Sequence, residues 1–163
     1  MTIDDLTDYG MVRMDDGEIR ALLSSHSVGV LGLPADGAPS LRPMSCGYDD
    51  EAEALYLLYI VGTGSRKAAL SDRVTEARFL VYSVETQFNW RSALLTGRID
   101  AVPEEETTAV GDRIEFPWQP DLFRRAGEAE RTRLYRFDIT EWEGLKHVGL
   151  PPAFEAPAED ESA

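Results

Sequence analysis

The sequence predicts a mainly β, α+β domain: a six-stranded antiparallel barrel with peripheral helices. Three observations carry that reading. Six runs of apolar or alternating residues have the length of strands, turn signals built on Gly, Pro and Asp separate them, and the helical patterns stand apart instead of alternating strictly with strands as a parallel doubly wound sheet requires. At 163 residues the chain fits one domain, with a core large enough to need no disulfide or metal staple. Residues 1–150 are read as that domain, and residues 151–163 as an acidic, proline-containing tail too poor in apolar side chains to fold.

Residues 1–13 show no pattern. Asp15, followed three residues later by Glu18, is a capping-box start for a short helix that aligns Ile19, Leu22 and Leu23, and His26 lies just past its end. Residues 27–33 (SVGVLGL) read as a buried strand, and Asp36-Gly37 suits the turn of a hairpin. Its return arm, residues 39–48, contains Pro43, which has no N–H for a ladder, so one edge of this strand is expected to face something other than a strand. Residues 54–61 (ALYLLYIV) are too apolar for exposure on both faces and end at Gly62-Thr63-Gly64, after which residues 65–70 begin a helix. Residues 77–84 and 90–102 form a fourth and a long fifth strand, with Gly97 as a bulge candidate. Pro103 ahead of three glutamates starts a helix that runs to about Ile114. Pro117 and Pro120 interrupt the chain before an amphipathic piece at residues 121–126, and residues 134–139 (LYRFDI) alternate as a sixth strand.

Thirty acidic residues against sixteen basic ones give a formal charge of −14. Such a surface repels nucleic acid and anionic lipid, whose binding needs a clustered basic face. It also suits a high-salt cytoplasm, where counter-ions screen the self-repulsion of the carboxylates. No signal peptide or membrane-length apolar run is visible, so a cytoplasmic location is expected. One cysteine and two histidines cannot build a Cys/His zinc site. Neither histidine sits in a nucleophile motif, Gly-x-Ser-x-Gly is absent, and Gly62-Thr63-Gly64-Ser65 lacks the remaining glycine of a dinucleotide loop. Cys46, in an apolar strand, reads as a small core residue.

Residues 62–67 (GTGSRK) are different. In a chain this negative, a phosphate is held only where cations and backbone donors converge. Ser65 falls at a helix N-terminus with its free N–H groups, Arg66 adds a bidentate fork, and Lys67, one of only two lysines, adds a point charge. The bland alternative is an exposed basic first turn, which opposes the helix dipole.

The order of these features resembles the pyridoxamine 5′-phosphate oxidase-like, FMN-binding split-barrel family, and within it the nitroimidazole-resistance-type branch. The features are an Asp-Gly hairpin, a strand ending Gly47-Tyr48-Asp49, an apolar strand, Ser65-Arg66-Lys67, and Trp90 and Gly97 in a long strand. The likeness spans roughly residues 15–149. It implies a six-stranded split barrel that forms a homodimer with FMN in the groove between protomers. It further implies that Ser65, Arg66 and Lys67 hold the phosphate, that Ile60 and Val61 run beneath the cofactor, and that the strand edge Pro43, Met44, Ser45 and Cys46 faces the isoalloxazine. Ser92 stands where the oxidases carry a flavin-contacting glutamine, Trp90 is a stacking candidate, and Trp142 matches a tryptophan that reaches the flavin across the dimer. His147 is the one candidate proton donor, set against a tail histidine with no role.

Departures from the family shape the functional expectation. Leu41 and Cys46 stand where the family has a phosphate-binding arginine and lysine, and Arg42, one position off, points to the other face of its strand. Gly-Leu-Lys146-His147 replaces the Arg-x-His pair that grips the vitamin substrate. The expected activity is therefore an FMN-dependent oxidoreductase acting between a reduced donor and a small acceptor, rather than pyridoxamine phosphate oxidation. The alternatives are a coenzyme F420-dependent reductase on the same barrel and a non-catalytic flavin-binding protein.

Overall fold

Asp15 caps the first helix as its spacing with Glu18 requires. The Asp15 carboxylate accepts from the Glu18 N–H at 2.8 Å, and the Glu18 carboxylate accepts from the Asp15 N–H at 3.0 Å. In the computed structural model, which describes Thr7 and residues 10–60, 66–73, 76–114 and 132–149, this reciprocal cap opens α1 (Asp16–Ser25). A short β1 (Met11–Arg13) precedes it. There follow β2 (Val28–Leu33), β3 (Ser40–Asp49), β4 (Ala54–Ile60), α2 (Arg66–Arg73), β5 (Glu76–Thr86), β6 (Asn89–Ala101), α3 (Glu104–Arg113) and β7 (Thr132–Val148). The expected amphipathic piece at residues 121–126 and the acidic tail at 151–163 lie outside the described residues.

Every strand pairing is antiparallel, and the neighbours run β1-β7-β4-β3-β2-β5-β6 with a further β6–β7 pairing. That last pairing closes β2 to β7 into the six-stranded barrel expected from the sequence, and leaves β1 as an addition on β7. Inward-facing residues alternate along each strand: Leu31, Cys46, Leu57, Phe79, Leu95 and Phe137 are all at most 1% exposed. Each large apolar side chain sealed in this way contributes about 1.5–3 kcal/mol relative to exposure. The helix α1 packs Ile19, Leu22 and Leu23 into the same core and is tied to the β3–β4 turn by Arg20, which reaches Asp50 at 3.3 Å and Glu53 at 2.8 Å. The helix α2 adds buried Ala68 and Leu70 to that core.

Two elements differ from expectation. The sixth strand, read as residues 134–139, extends to Val148, so His147 lies within a strand rather than in a tail. Glu141 and Glu143, which masked its second half, face outwards, and Gly144 breaks the pattern because Met14 and Ile19 press against it: a Cβ there would sit 2.8 Å from each. The unpatterned N-terminal stretch contains β1, whose three residues pair with the end of β7.

The bulge expected at Gly97 is present. Thr96 pairs with Glu141 and Gly97 with Ile139, so Thr140 is the extra residue on β7. A Cβ on Gly97 would lie 2.2 Å from the Asp138 carbonyl oxygen and 2.7 Å from the Phe137 ring, so no side chain fits without moving the β7 backbone. Gly97→Ala is expected to cost about 1–3 kcal/mol, the range for overpacking a filled site. Equilibrium denaturation will measure it as a lowered midpoint with an unchanged slope.

Candidate functional site

The parity of hydrogen bonds along β3 decides what Pro43 does. The Cys46 N–H donates to the Ser27 carbonyl at 2.8 Å. Alternate residues therefore turn their backbone groups towards β2, and those between, Leu41, Pro43 and Ser45, turn theirs to the other edge. On that other edge β4 pairs with β3 only from Cys46↔Leu57 onwards, while β2 pairs with β3 over its whole first half. The stretch from Leu41 to Ser45 thus presents an edge with no strand partner among the described residues, and the nitrogen of Pro43, which has no proton to offer, faces it. This matches the expectation that one side of this strand is kept for something else.

Beside this open edge β4 ends at Ile60 and α2 begins at Arg66, so Arg66 and Lys67 occupy the first turn of a helix. The helices α1 and α3 both carry acids in their first turns, whereas α2 carries none. In so acidic a chain that leaves the positive end of the α2 dipole for an anion from outside. The side chains of Ile60, Arg66 and Lys67, and all of Val61 and Ser65, lie outside the described residues.

Of the four residues Pro43 to Cys46, two face outwards and two inwards. Met44 is 4% exposed and Cys46 1% exposed, both in the core. Cys46 is no reactive thiol: burial pushes its pKa up to about 12, and its sulfur sits 4.0 Å from the His26 carbonyl oxygen.

The outer face of β3, β2, β5 and β6 carries a run of apolar side chains that no described element covers. Residues opposite each other in the ladder share a face, and the pairs Gly32↔Leu41, Val30↔Pro43, Val30↔Leu80, Tyr82↔Ser92 and Val84↔Trp90 form one continuous surface. On it Leu41 is 60% exposed, Val28 54%, Tyr82 51% and Val84 61%. Trp90 and Ser92, both read as flavin contacts, therefore belong to this face and not to the open edge itself. A cluster of large exposed apolar side chains on a soluble surface marks an interaction site.

Trp142 stands apart, towards the other end of β7. Its indole N–H donates to Asp16 at 3.0 Å, and the Arg20 guanidinium lies 5.0 Å from its ring centroid. It lines a groove of about 500 Å³ that also includes Glu53, Arg78, Leu94 and Thr96. Arg20, Glu53 and Arg78 were not legible as site residues because they come from three separate elements. His147 is buried near the end of β7; its Nδ1–H donates to the Phe88 carbonyl at 2.9 Å, with the Phe88 and Trp90 rings centred 5.7 and 6.1 Å away. In the chain these groups do not meet the open β3 edge: Ile60 pairs with Thr132 at the start of β7, and His147 lies near its end.

Comparison with known proteins is decisive at the level of family. The family model described as pyridoxamine 5′-phosphate oxidase matches residues 15–146. The chain belongs to that family. Among solved structures it is similar to an FAD-binding protein from Mesorhizobium loti, with a TM-score of 0.68 at 18% identity, covering 85% of this chain and 98% of that one. It is also similar to the FAD and haem binding protein from Mycobacterium smegmatis, with a TM-score of 0.65 at 18% identity, covering 87% of this chain and 75% of that one. A candidate 5-nitroimidazole antibiotic resistance protein from Bacteroides thetaiotaomicron gives a TM-score of 0.65 at 18% identity, covering 83% and 87%. At these identities the structural likeness establishes the split-barrel fold. No curated protein matches the sequence.

The raised pKa of Cys46 has a direct consequence. The native state holds the thiol proton to higher pH than the unfolded chain does, so this contribution to stability is intact below about pH 9 and is lost as pH climbs towards 12. A thiol reagent at pH 8 is expected to label the protein only after denaturation, with no reaction in the folded state on the same timescale; prompt labelling of native protein would place Cys46 at an accessible site.

Proposed function

We propose that this chain is a homodimeric, FMN-binding oxidoreductase whose cofactor lies along the open edge of β3, with its phosphate at the start of α2. The observation that carries the reading is the adjacency of three features that a flavin needs together. Pro43 and Ser45 offer a partnerless backbone edge, α2 offers a first turn with Arg66 and Lys67 and no acid, and the apolar face through Val30 and Leu80 begins at that same edge. The donor set fits the group: backbone N–H and C=O groups for the polar rim of the ring, and two cations for the phosphate, assisted by Ser65 in the sequence. The solved relatives include proteins named for binding FAD, which supports a flavin in this fold.

When bound, the flavin supplies hydride or electron transfer between a reduced donor and a small acceptor. The chain's own residues bind, orient and shield. The edge of β3 fixes the ring plane, and Pro43 keeps that edge free of a competing strand. The exposed face bearing Val28, Tyr82 and Val84 fits a second copy of this chain, which would exclude water from the cofactor. With the partner docked there, Ser92 and Trp90 lie at the interface. The groove beside Trp142 runs onto the same outer surface at Arg78 and Leu94, which fits a tryptophan that reaches the cofactor of the other protomer.

The purified protein is expected to carry the two visible bands of an oxidised flavin; a single deazaflavin band would instead favour the F420 reading, and failure of NADH or NADPH to bleach a bound flavin would favour a binder without catalysis. Changing Arg66 and Lys67 together to Ala should remove several kcal/mol of FMN affinity, since each charged hydrogen bond is worth about 1.5–3 kcal/mol. Unaltered affinity in that variant would show the phosphate lies elsewhere. For the assembly, Tyr82→Glu places a charge in the middle of the apolar face. Light scattering should report a shift from dimer to monomer, with FMN affinity falling in parallel.

A further inference from the structure

The segment that carries Arg66 and Lys67 has to be held still for a phosphate to be gripped, and the far end of α2 shows how. Two tyrosines from neighbouring strands, Tyr59 of β4 and Tyr135 of β7, stack with ring centroids 4.1 Å apart and are both fully buried. Their hydroxyls reach consecutive residues of α2. Tyr59 shares a 2.6 Å hydrogen bond with Ser71, itself only 3% exposed. Tyr135 donates to one oxygen of Asp72 at 2.8 Å, while Arg133 donates to the other oxygen of Asp72 at 3.1 Å and to the Tyr135 oxygen at 3.3 Å.

These bonds form a closed unit: Tyr135, Asp72 and Arg133 each contact the other two, and the Tyr59–Ser71 bond sits alongside under the same stacked rings. Burial of Tyr59 and of Tyr135 raises both phenol pKa values above the ordinary phenol value, so both hydroxyls keep their protons at physiological pH. Nothing in a helix that merely fills the core demands this. Ala68 and Leu70 already supply apolar packing, whereas the hydroxyl network fixes the helix against rotation and sliding along its axis. Both motions would carry residues 66 and 67 away from the end of β4.

We propose that Tyr59, Tyr135 and Arg133, acting through Ser71 and Asp72, are positioning residues that lock α2 so that its first turn is preorganised for the phosphate of the flavin. This rests on the phosphate reading given above and adds the means by which the site is aligned. Preorganisation lowers the ordering cost of binding, so its loss falls on ligands that use the phosphate and spares those that do not.

The test compares FMN with riboflavin, which lacks the phosphate, by flavin-fluorescence titration of the full-length protein. Wild type should bind FMN more tightly. In the double variant Tyr59→Phe, Tyr135→Phe, which keeps both rings and their stacking, FMN affinity should fall by about tenfold or more while riboflavin affinity stays within about twofold. Tyr56→Phe is the control: its hydroxyl accepts from Arg113 at 3.0 Å and Arg136 at 3.2 Å, on elements other than α2, and both affinities should be unchanged. Should the tyrosine double variant not fold, Ser71→Ala with Asp72→Asn weakens the same network from the helix side and gives the same comparison. Equal losses for the two flavins, or no loss, would overturn the positioning role while leaving the phosphate site intact. A wild type that binds FMN and riboflavin equally would overturn the phosphate reading, and the positioning role with it.

Discussion

The architecture depends on β7 holding two different sets of partners along one strand. Its first half pairs with β4 from Thr132 to Asp138, its last residues pair with β1, and β6 accompanies it from Tyr135 to Val148. Without the β6–β7 ladder the sheet would end in two open edges, each a row of unpaired N–H and C=O groups. Closure removes them, and the bulge at Thr140 is the bend that lets one strand serve both halves. That bend needs a partner residue with no side chain, which is why Gly97 sits 2.2 Å, measured from a notional Cβ, beneath the Asp138 carbonyl. Closure also makes the remaining open stretch of β3 conspicuous: Leu41 to Ser45 pairs with β2 on one side, while the side to which the Pro43 nitrogen turns has no strand partner among the described residues.

Much of this was legible because it is local. A capping box needs only the spacing of Asp15 and Glu18, and a bulge glycine stands out inside an otherwise continuous strand pattern. Pro43 declared an unpaired edge by the chemistry of one missing proton. The second half of β7 was not legible, because Glu141, Glu143 and Lys146 keep no single alternation and the burial of the residues between them depends on α1 and β1, and Gly144 is small for the sake of Ile19 and Met14 rather than for any turn. The same holds for the site. Tyr59 and Ser71 are twelve positions apart and Tyr135 and Asp72 sixty-three, so their pairing exists only once β4 and β7 are neighbours and α2 is folded back on them.

Charge is distributed with the same logic. Lys146, the second lysine of the chain, is bound to Glu18, the residue that also completes the α1 cap, and the contact holds the Glu18 carboxyl below its usual pKa range. Arg20, Arg113, Arg133 and Arg136 each face a carboxylate on a neighbouring residue or element. These cations are engaged in joining elements to one another, and at exposed sites such pairs add little stability individually. What they do is remove cations from competition. Among the described helices, α2 is distinguished by a first turn that carries two cations and no acid.

The apolar outer face and the open edge are two consequences of a single alternation. Along β2, β3 and β5 the residues that do not enter the core include Val28, Val30, Leu41, Pro43, Leu80, Tyr82 and Val84, with Ser45 and Arg78 among them, where a solvated antiparallel sheet would carry mostly polar side chains. A sheet apolar on both faces must be covered on both, and α1, α2 and α3 lie elsewhere: the first two pack into the core cluster, and α3 contributes Val110 to a separate cluster with Tyr56 and Leu134. No described element of this chain covers the outer face. The second copy proposed above would meet it with the same face, as a symmetric pairing requires. The β3 edge forms the margin of that face, at Pro43 beside Val30. On the proposed assembly a ligand on the edge would be enclosed by association, and cofactor binding and assembly would be linked: whatever binds the paired state alone stabilises it by mass action.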